Sequence, residues 1–309
     1  MKWLKRLTLL LTFGTAGLTL AAVAAAQNNQ DAPPAREQVA LTTRDGVQLR
    51  ADFYPGAKKK ESIPVILVHM YQGSRQDFQT LAEFLQMQGH AVLAPDLRGH
   101  GESTQVVGAS RELDAGRLRP ADMAAMAAID LEACKKFLIE KNNAGELNID
   151  QLAVVGAEMG ASVALLWAAI DWSWPPLATG KQGQDVKAVV LISPEYVFKG
   201  LKINDALMHP AVRSVLSVLI AIGRNDAGAE REARRIHTQF ERGRPELDPA
   251  DRDKKDLFLV GIDTRLQGTR ILEEPNLGLH RQIAQFIKLR IEDRAADFPW
   301  KERISPFSQ

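Results

Sequence analysis

The chain has 309 residues, of which 45% are hydrophobic and 25% are charged, so it can bury the core of one large domain or two small ones. Its formal net charge of +1 gives no indication of a nucleic-acid partner. The six histidines and the single cysteine show no metal-ligand spacing, so we expect neither a metal nor another cofactor.

The N-terminus has the three parts of a secretory signal. Basic residues precede an apolar stretch at 7–20, and alanines typical of a cleavage site occupy 24–26. We therefore predict that residues 1–26 are removed and that the mature protein is secreted or periplasmic, with no membrane association. Retention as a membrane anchor is the alternative, although the apolar stretch is short for a spanning helix. The polar residues 27–38 predict a disordered linker.

The rest of the chain alternates strands with helices. Alternating apolar and polar residues around Asp45-Gly46 predict an antiparallel hairpin, and later continuous apolar runs are typical of strands buried on both faces. The predicted strands are 39–41, 47–54, 65–69, 91–94, 152–155, 187–192, 215–222 and 257–261, and the predicted helices are 76–88, 120–141, 160–170, 229–240 and 277–291.

This order of elements indicates the α/β class. We predict a mostly parallel eight-stranded sheet, entered by the antiparallel N-terminal hairpin, with helices on both faces. A single domain covers residues 39–292, and a C-terminal tail follows at 293–309.

A turn flanked by two glycines is the most informative stretch. An apolar run ends at Gly156, a helix-forming run follows Gly160, and Glu158 lies between them. Strand, sharp turn and helix form the nucleophile elbow G-x-S-x-G, whose glycines let the two backbones approach closely. The middle residue here is glutamate, not serine. Taken alone, the spacing also fits an ordinary strand-to-helix turn of an unrelated α/β domain.

Four segments together resemble the α/β-hydrolase superfamily, in particular its small-capped branch of dienelactone hydrolases and serine-aminopeptidase-like esterases. They are LVHM at 67–70 followed by Gly73-Ser74, DLRGHGES at 96–103, the glycine-flanked turn at 156–160, and IGRND at 222–226. The second is a strong match to the family's D-x-R-G-H-G-x-S segment. The resemblance covers about 39–291 and implies an α/β-hydrolase fold with a small lid, for which the insertion at 193–213 is the candidate.

The resemblance also implies a catalytic triad in the order nucleophile, acid, histidine, at Glu158, Asp226 and Gln267. A glutamate cannot replace the serine hydroxyl as the group that is acylated. A glutamine at this position can hydrogen-bond to Asp226, but an amide accepts no proton at physiological pH. The sequence therefore predicts a degenerate triad in a protein that acts by binding or as a scaffold, for an unknown small-molecule or protein ligand.

Two routes to activity stay open. Asp nucleophiles work in some branches of the superfamily, so an atypical Glu158 centre is conceivable, although the water that opens the acyl intermediate needs a base. A slipped alignment would make His280 that base, but Pro275-Asn276 predicts that it lies within the last helix. Either route would make the chain a hydrolase of ester or peptide-like substrates.

The resemblance assigns supporting roles as well. The backbone N–H groups of Met70 and Met159 correspond to the oxyanion hole, which does not depend on side chains. His69, Tyr71 and His100 belong to loops that shape the pocket. Glu158, Asp226 and Gln267 carry the kinds of oxygen atom that bind Ca²⁺, but their spacing is not diagnostic, so no metal site is predicted.

Overall fold

The computed structural model describes residues 33–110, 112–177, 180–246, 248 and 254–303. The predicted signal segment and most of the predicted linker lie outside these residues, as does the end of the predicted tail. The first strand begins at Glu37, inside the predicted linker, because its backbone already pairs with Phe53 of the second strand.

The described residues form an eight-stranded sheet in the order β1-β2-β4-β3-β5-β6-β9-β10. The hairpin strands β1 and β2 are antiparallel, β2 is also antiparallel to β4, and the remaining pairs are parallel. The strands are β1 Glu37–Thr42, β2 Gln48–Tyr54, β3 Pro64–Val68, β4 Ala91–Pro95, β5 Leu152–Ala157, β6 Val186–Ile192, β7 Val197–Phe198, β8 Leu201–Lys202, β9 Ser217–Gly223 and β10 Leu257–Ile262. The predicted α/β fold is confirmed.

The helices lie on both faces of this sheet. They are α1 Gln79–Met87, α2 Pro120–Ala125, α3 Leu131–Asn143, α4 Met159–Ser173, α5 Asn204–Met208, α6 Pro210–Ser214, α7 Ala227–Glu241 and α8 Leu279–Arg290. Shorter 3-10 segments are Lys59–Glu61, Arg75–Phe78, Ala115–Arg117, Ile149–Gln151, Gly268–Ile271, Pro275–Leu277 and Glu292–Asp297.

One predicted helix, 120–141, is divided in the structure. A π-helical turn at Met126–Asp130 separates α2 from α3. Asp130 is fully buried, and its carboxylate accepts hydrogen bonds from the backbone N–H and the guanidinium of Arg98. This tertiary contact has no signature in the helical periodicity, so the sequence predicted one continuous helix.

The apolar residues form two layers, one on each side of the sheet. One layer includes Leu49, Val154 and Trp167, and the other includes Leu67 and Ile283. β3 and β5 are buried along their whole lengths, as their continuous apolar runs predict for central parallel strands. Within the described ranges, no helix combines the length and apolar character needed to cross a membrane.

The insertion at 193–213 contains elements that the sequence pattern did not predict. The hairpin β7–β8 turns through Lys199 and Gly200, which both have positive φ, and α5 and α6 follow. This hairpin crosses to the loop after β3, where Phe198 packs on Tyr71 with 5.3 Å between ring centroids. The insertion therefore lies over the carboxyl-terminal end of β3, in the middle of the sheet.

Candidate functional site

The glycine-flanked turn forms a strained elbow between β5 and α4. Glu158, at its tip, has φ 49° and ψ −113°, a backbone conformation that residues other than glycine rarely adopt. A Cβ at Gly156 would come within 2.6 Å of the Ala161 nitrogen, and one at Gly160 within 2.5 Å of the His69 carbonyl oxygen. Strand, helix and the neighbouring loop therefore approach too closely for any residue but glycine at these two positions.

The Glu158 side chain is half-buried, with 23% of its surface exposed. Its Oε1 lies 3.8 Å from Nη2 of Arg270, whose own side chain is largely exposed. Gly268, with φ 60°, faces the carboxylate so closely that a Cβ there would come within 2.7 Å of Oε1. Burial raises the pKa of the Glu158 carboxyl, and Arg270 offsets only part of that shift.

A second carboxyl group lies near the elbow. Glu195, in the loop after β6, is half-buried, and both burial and the charge of Glu158 raise its pKa. Its carbonyl oxygen accepts a hydrogen bond from the Ser162 hydroxyl of α4, at 3.1 Å. The elbow therefore has two carboxyl groups where the family resemblance implied one nucleophile.

Gln267, at the position that the resemblance assigns to the histidine, is held by Ser193 and the Gly223 backbone. Its Oε1 accepts from the Ser193 hydroxyl at 2.6 Å and from the Gly223 N–H at 3.3 Å. Its Nε2 donates to the Gly223 carbonyl at 2.7 Å. The hydrogen bond to Asp226 that the sequence permits is not formed, because the backbone of Gly223 and the Ser193 hydroxyl satisfy the amide.

Asp226, at the position that the resemblance assigns to the acid, bonds to the start of a helix. It is exposed, and its Oδ1 accepts from the backbone N–H groups of Gly228 at 2.8 Å and Ala229 at 3.0 Å. These bonds cap the N-terminus of α7 and lower the pKa of Asp226. Asp226 shares no hydrogen bond with Glu158 or Gln267, all three being described residues.

All six histidines lie in the described part of the chain, and none of them hydrogen-bonds to Glu158 or Asp226. His280 lies within α8, as its sequence context predicts, and its Nε2 is 3.2 Å from the Thr80 hydroxyl of α1. Its ring packs on Phe84, and burial lowers its pKa. His280 therefore bonds to α1, and it is not positioned as a base for Glu158.

The two predicted oxyanion-hole residues adjoin the elbow. Met159 is the first residue of α4, and Met70 follows β3 in the loop whose start packs against Gly160. Neither backbone N–H donates to another described residue. The Met70 sulfur is 3.6 Å from the Thr269 hydroxyl, next to the loop that holds Gln267. An oxyanion-binding role for these N–H groups stays a prediction.

The predicted pocket-shaping residues pack together beside the elbow. The buried His69 donates from Nδ1 to the carbonyl of Met70 at 2.7 Å. Its Nε2 accepts from the Leu97 N–H at 3.0 Å, so the ring connects the loop after β3 with the loop after β4. Burial and the nearby His100 lower its pKa to about 4, which keeps the ring neutral. The His69 and His100 ring centroids are 5.0 Å apart, and Tyr71 packs edge-on against His100.

Tyr71 connects this group to the lid. Its hydroxyl donates to the Ala115 carbonyl at 3.2 Å and accepts from Lys199 Nζ at 2.7 Å. A cavity of about 470 Å³ adjoins the Tyr71 loop, lined in part by Gln72, His100 and Ala115. Tyr71, in the loop after β3, therefore lies between the insertion at 193–213 and this cavity.

Sequence reasoning missed four contributors: Ser193, Glu195, Lys199 and Arg270. The first three follow β6, and the carboxyl ends of parallel strands are where α/β folds place functional residues. That signal was present for Ser193, one residue beyond the strand. Among the residues that the structure describes, no group of three or more His, Cys, Asp and Glu side chains is placed to hold a metal ion.

Comparison with known proteins agrees with this architecture. The family model described as "Serine aminopeptidase, S33" matches residues 59–235. No curated protein sequence matches the chain.

Solved structures with the same fold have low sequence identity to the chain. An esterase from Pyrococcus furiosus is 20% identical, with a TM-score of 0.59 over 83% of this chain and 93% of that one. A dienelactone hydrolase from Anabaena variabilis is 18% identical, with a TM-score of 0.58 over 84% and 100%. A fungal esterase from Rhizomucor miehei is 14% identical, with a TM-score of 0.56 over 90% and 91%.

These likenesses establish the α/β-hydrolase fold, whereas identities this low carry no information on substrate. The family model covers more than half of the chain, including the elbow and Asp226. The chain therefore belongs to the serine aminopeptidase S33 family of the α/β-hydrolase superfamily.

Proposed function

We propose that this protein is a pseudo-hydrolase, which binds a ligand at the former catalytic centre or serves as a scaffold there and does not hydrolyse it. The observation that carries the proposal is the bonding of Gln267. Both of its amide atoms are engaged by Ser193 and the Gly223 backbone, so the position of the general base holds a group that cannot titrate.

The other triad positions support the same proposal. Acyl transfer needs a nucleophile that loses a proton to a base and a third group that orients the base. Asp226 uses its carboxylate to cap α7, and Glu158 has Arg270 as its nearest charged partner. Attack by Glu158 would give an acyl intermediate, and none of the described histidines is hydrogen-bonded to the elbow to activate the water that opens it.

The charge at the elbow determines which ligands fit. Glu158 and Glu195 concentrate negative charge near the backbone N–H groups, and the exposed Arg270 offsets it only in part. We therefore expect neutral or cationic ligands to bind better than carboxylates. A thermal-shift comparison of benzylamine with benzoate checks this, and the preference should be weaker in the Glu158→Gln variant, which keeps only Glu195.

The test of inactivity compares the purified protein with its Glu158→Ala variant. Each is incubated with p-nitrophenyl acetate and, separately, with a fluorophosphonate probe. We expect no labelling of either protein and equal rates of p-nitrophenol release, since surface amines react alike in both. Hydrolysis by the unmodified protein that Glu158→Ala abolishes would show an active enzyme and overturn the proposal.

One observation favours the alternative, an atypical hydrolase of ester or peptide-like substrates. Glu158 and Glu195 both have raised pKa values, and carboxyl pairs in unequal environments serve as acid and base in other enzymes. This alternative predicts that Glu195→Gln also abolishes the hydrolysis. A rate that is unchanged in both single variants rules it out.

We also propose that the chain is exported. The support is the sequence pattern of its first 26 residues, a basic start, an apolar stretch and a small-residue cleavage site. Expression of the full chain in a bacterial host with an intact export pathway tests this. We expect the periplasmic fraction to contain a form whose intact mass lacks residues 1–26. A full-length mass in the membrane fraction would instead indicate a retained anchor.

A further inference from the structure

The two edges of the sheet differ in a way that the proposed function does not explain. Edge strand β10 has β9 as its one partner in the described part of the chain. The carbonyl oxygens of Asp256 and Ile262 accept hydrogen bonds from β9 and the residue after it. Because successive residues of a strand alternate in direction, Leu257, Leu259 and Gly261 point their N–H and C=O groups away from the sheet.

β10 also lacks the features that usually protect an edge. Its sequence, LFLVGI, contains neither a charge nor a proline, and Phe258, Leu259 and Val260 are only half-buried. The opposite edge, β1, carries Glu37 and Gln38 and is mostly exposed. Exposed apolar edge strands associate with other strands unless something covers them, so β10 is expected to have a partner.

The charges at the two ends of β10 indicate what that partner is. Lys255 precedes the strand and Asp263 follows it, and both are exposed. Asp263 accepts from Asn225 at 2.8 Å and lies 3.6 Å from Arg224, yet 73% of its side chain stays accessible. The strand thus has a positive residue at its beginning and a negative one at its end.

An antiparallel copy of the same strand complements this arrangement. With the two-fold axis at Leu259, the outward-facing Leu257 lies opposite Gly261 of the second copy, and Lys255 lies opposite Asp263 at both ends. A shift by two residues in either direction removes this match, because it places Lys255 opposite Gly261 or opposite Arg265. Of these three registers, only the centred one pairs the opposite charges.

We propose that two copies of this chain associate through β10, in an antiparallel register centred on Leu259, to form one sheet continuous across a two-fold axis. Such an interface uses the same surface on both subunits, so it contains the Lys255–Asp263 pair twice, once at each end. The elbow lies on β5, three strands from this edge, so the proposal is independent of whether the site hydrolyses anything.

Charge reversal tests the register directly by sedimentation velocity. Lys255→Asp should place two aspartates opposite each other at both ends, and Asp263→Lys two lysines, so each variant should dimerise about 10- to 30-fold more weakly than the unmodified protein. An equimolar mixture of the two variants restores both opposite-charge pairs in a heterodimer. The mixture should therefore sediment like the unmodified dimer.

The control is Lys136→Asp, the same charge change at an exposed position of α3, near the opposite edge of the sheet. It should dimerise like the unmodified protein, and far-UV circular dichroism should show all variants folded. An unmodified protein that is monomeric at about 100 µM, a concentration at which a dimer with a Kd near 1 µM would be mostly associated, would overturn the proposal. So would single variants that dimerise normally, or a mixture of the two that stays monomeric.

Discussion

At the scale of single residues, Glu158 carries two costs that an ordinary surface glutamate does not. Its backbone adopts φ 49° and ψ −113°, and its carboxyl group is half-buried with a raised pKa. Conformations of this kind cost about 1–3 kcal/mol and persist where the surrounding structure imposes them. The elbow therefore keeps its strain although its residue is not the serine of the family motif.

The backbone cost of Glu158 is separable from its charge. Glu158→Ala and Glu158→Gly both remove the carboxylate, but only glycine relieves the strain. We expect the free energy of unfolding of Glu158→Gly to exceed that of Glu158→Ala by about 1 kcal/mol, after the greater unfolded-state entropy of glycine is subtracted. Urea denaturation measures the difference. Equal stabilities would mean that the elbow relaxes in solution.

The charge of Glu158 predicts a pH dependence. Because its pKa is raised in the folded state, folding takes up protons, and its contribution to stability falls as pH rises from the unfolded pKa through the folded one. Glu158→Gln lacks this loss. We expect its melting temperature to exceed that of the unmodified protein at pH 8 and the gap to shrink towards pH 4. A gap that is constant with pH would contradict the burial of the carboxyl group.

At the scale of elements, three backbones meet at the elbow. The close approach of α4 to the end of β3 depends on Gly160, since a Cβ would overlap the carbonyl oxygens of Val68 and His69. Backbone atoms of two central elements cannot move aside as a flexible side chain would. Gly160 therefore determines how close α4 lies to the loop after β3.

Gly160→Ala is expected to lower the free energy of unfolding by about 3 kcal/mol, because the added methyl group pushes α4 away from β3. Gly116→Ala is the matched control, since Gly116 is exposed and an added Cβ would have one contact within 4 Å among the described residues, Oδ1 of Asp114 at 3.1 Å. The control should change stability by less than about 1 kcal/mol. Similar losses in both variants, measured by urea denaturation, would contradict a special packing role for Gly160.

At the scale of the whole molecule, buried ion pairs attach the C-terminal segment to the domain. Arg303 donates to Asp185 at 2.7 and 3.1 Å and to Asp150 at 3.0 Å. Lys135 and Lys181 lie near the same Asp185 carboxylate, whose pKa these cations hold far below its usual range. The predicted tail, 293–309, thus contains a residue that completes a buried charge network.

Arg303→Met should lower the free energy of unfolding by about 3 kcal/mol, since it leaves two buried carboxylates with fewer cations. Arg303→Lys keeps the charge but not the bidentate contact with Asp185, so its loss of stability should be smaller. Urea denaturation of both variants checks the order. If Arg303→Met is as stable as the unmodified protein, the segment does not contribute to the fold.

The sequence by itself determined the architecture and the position of the elbow, because both depend on local patterns. Continuous apolar runs predict buried strands, and two glycines four residues apart permit the close approach at Glu158. The absence of serine and histidine at the positions assigned by the resemblance is likewise visible in the chain alone.

Only the tertiary structure decided what the remaining polar groups do. Asp226 was expected beside Gln267, yet its nearest donors are the N–H groups of the helix that it precedes, and Gln267 instead joins Ser193 and Gly223. Glu195 and Lys199 come from a segment with no motif, and Arg270 lies at a position that the family pattern around Gln267 does not specify. Such contacts depend on the directions of side chains from separate loops, which the order of residues along the chain does not specify.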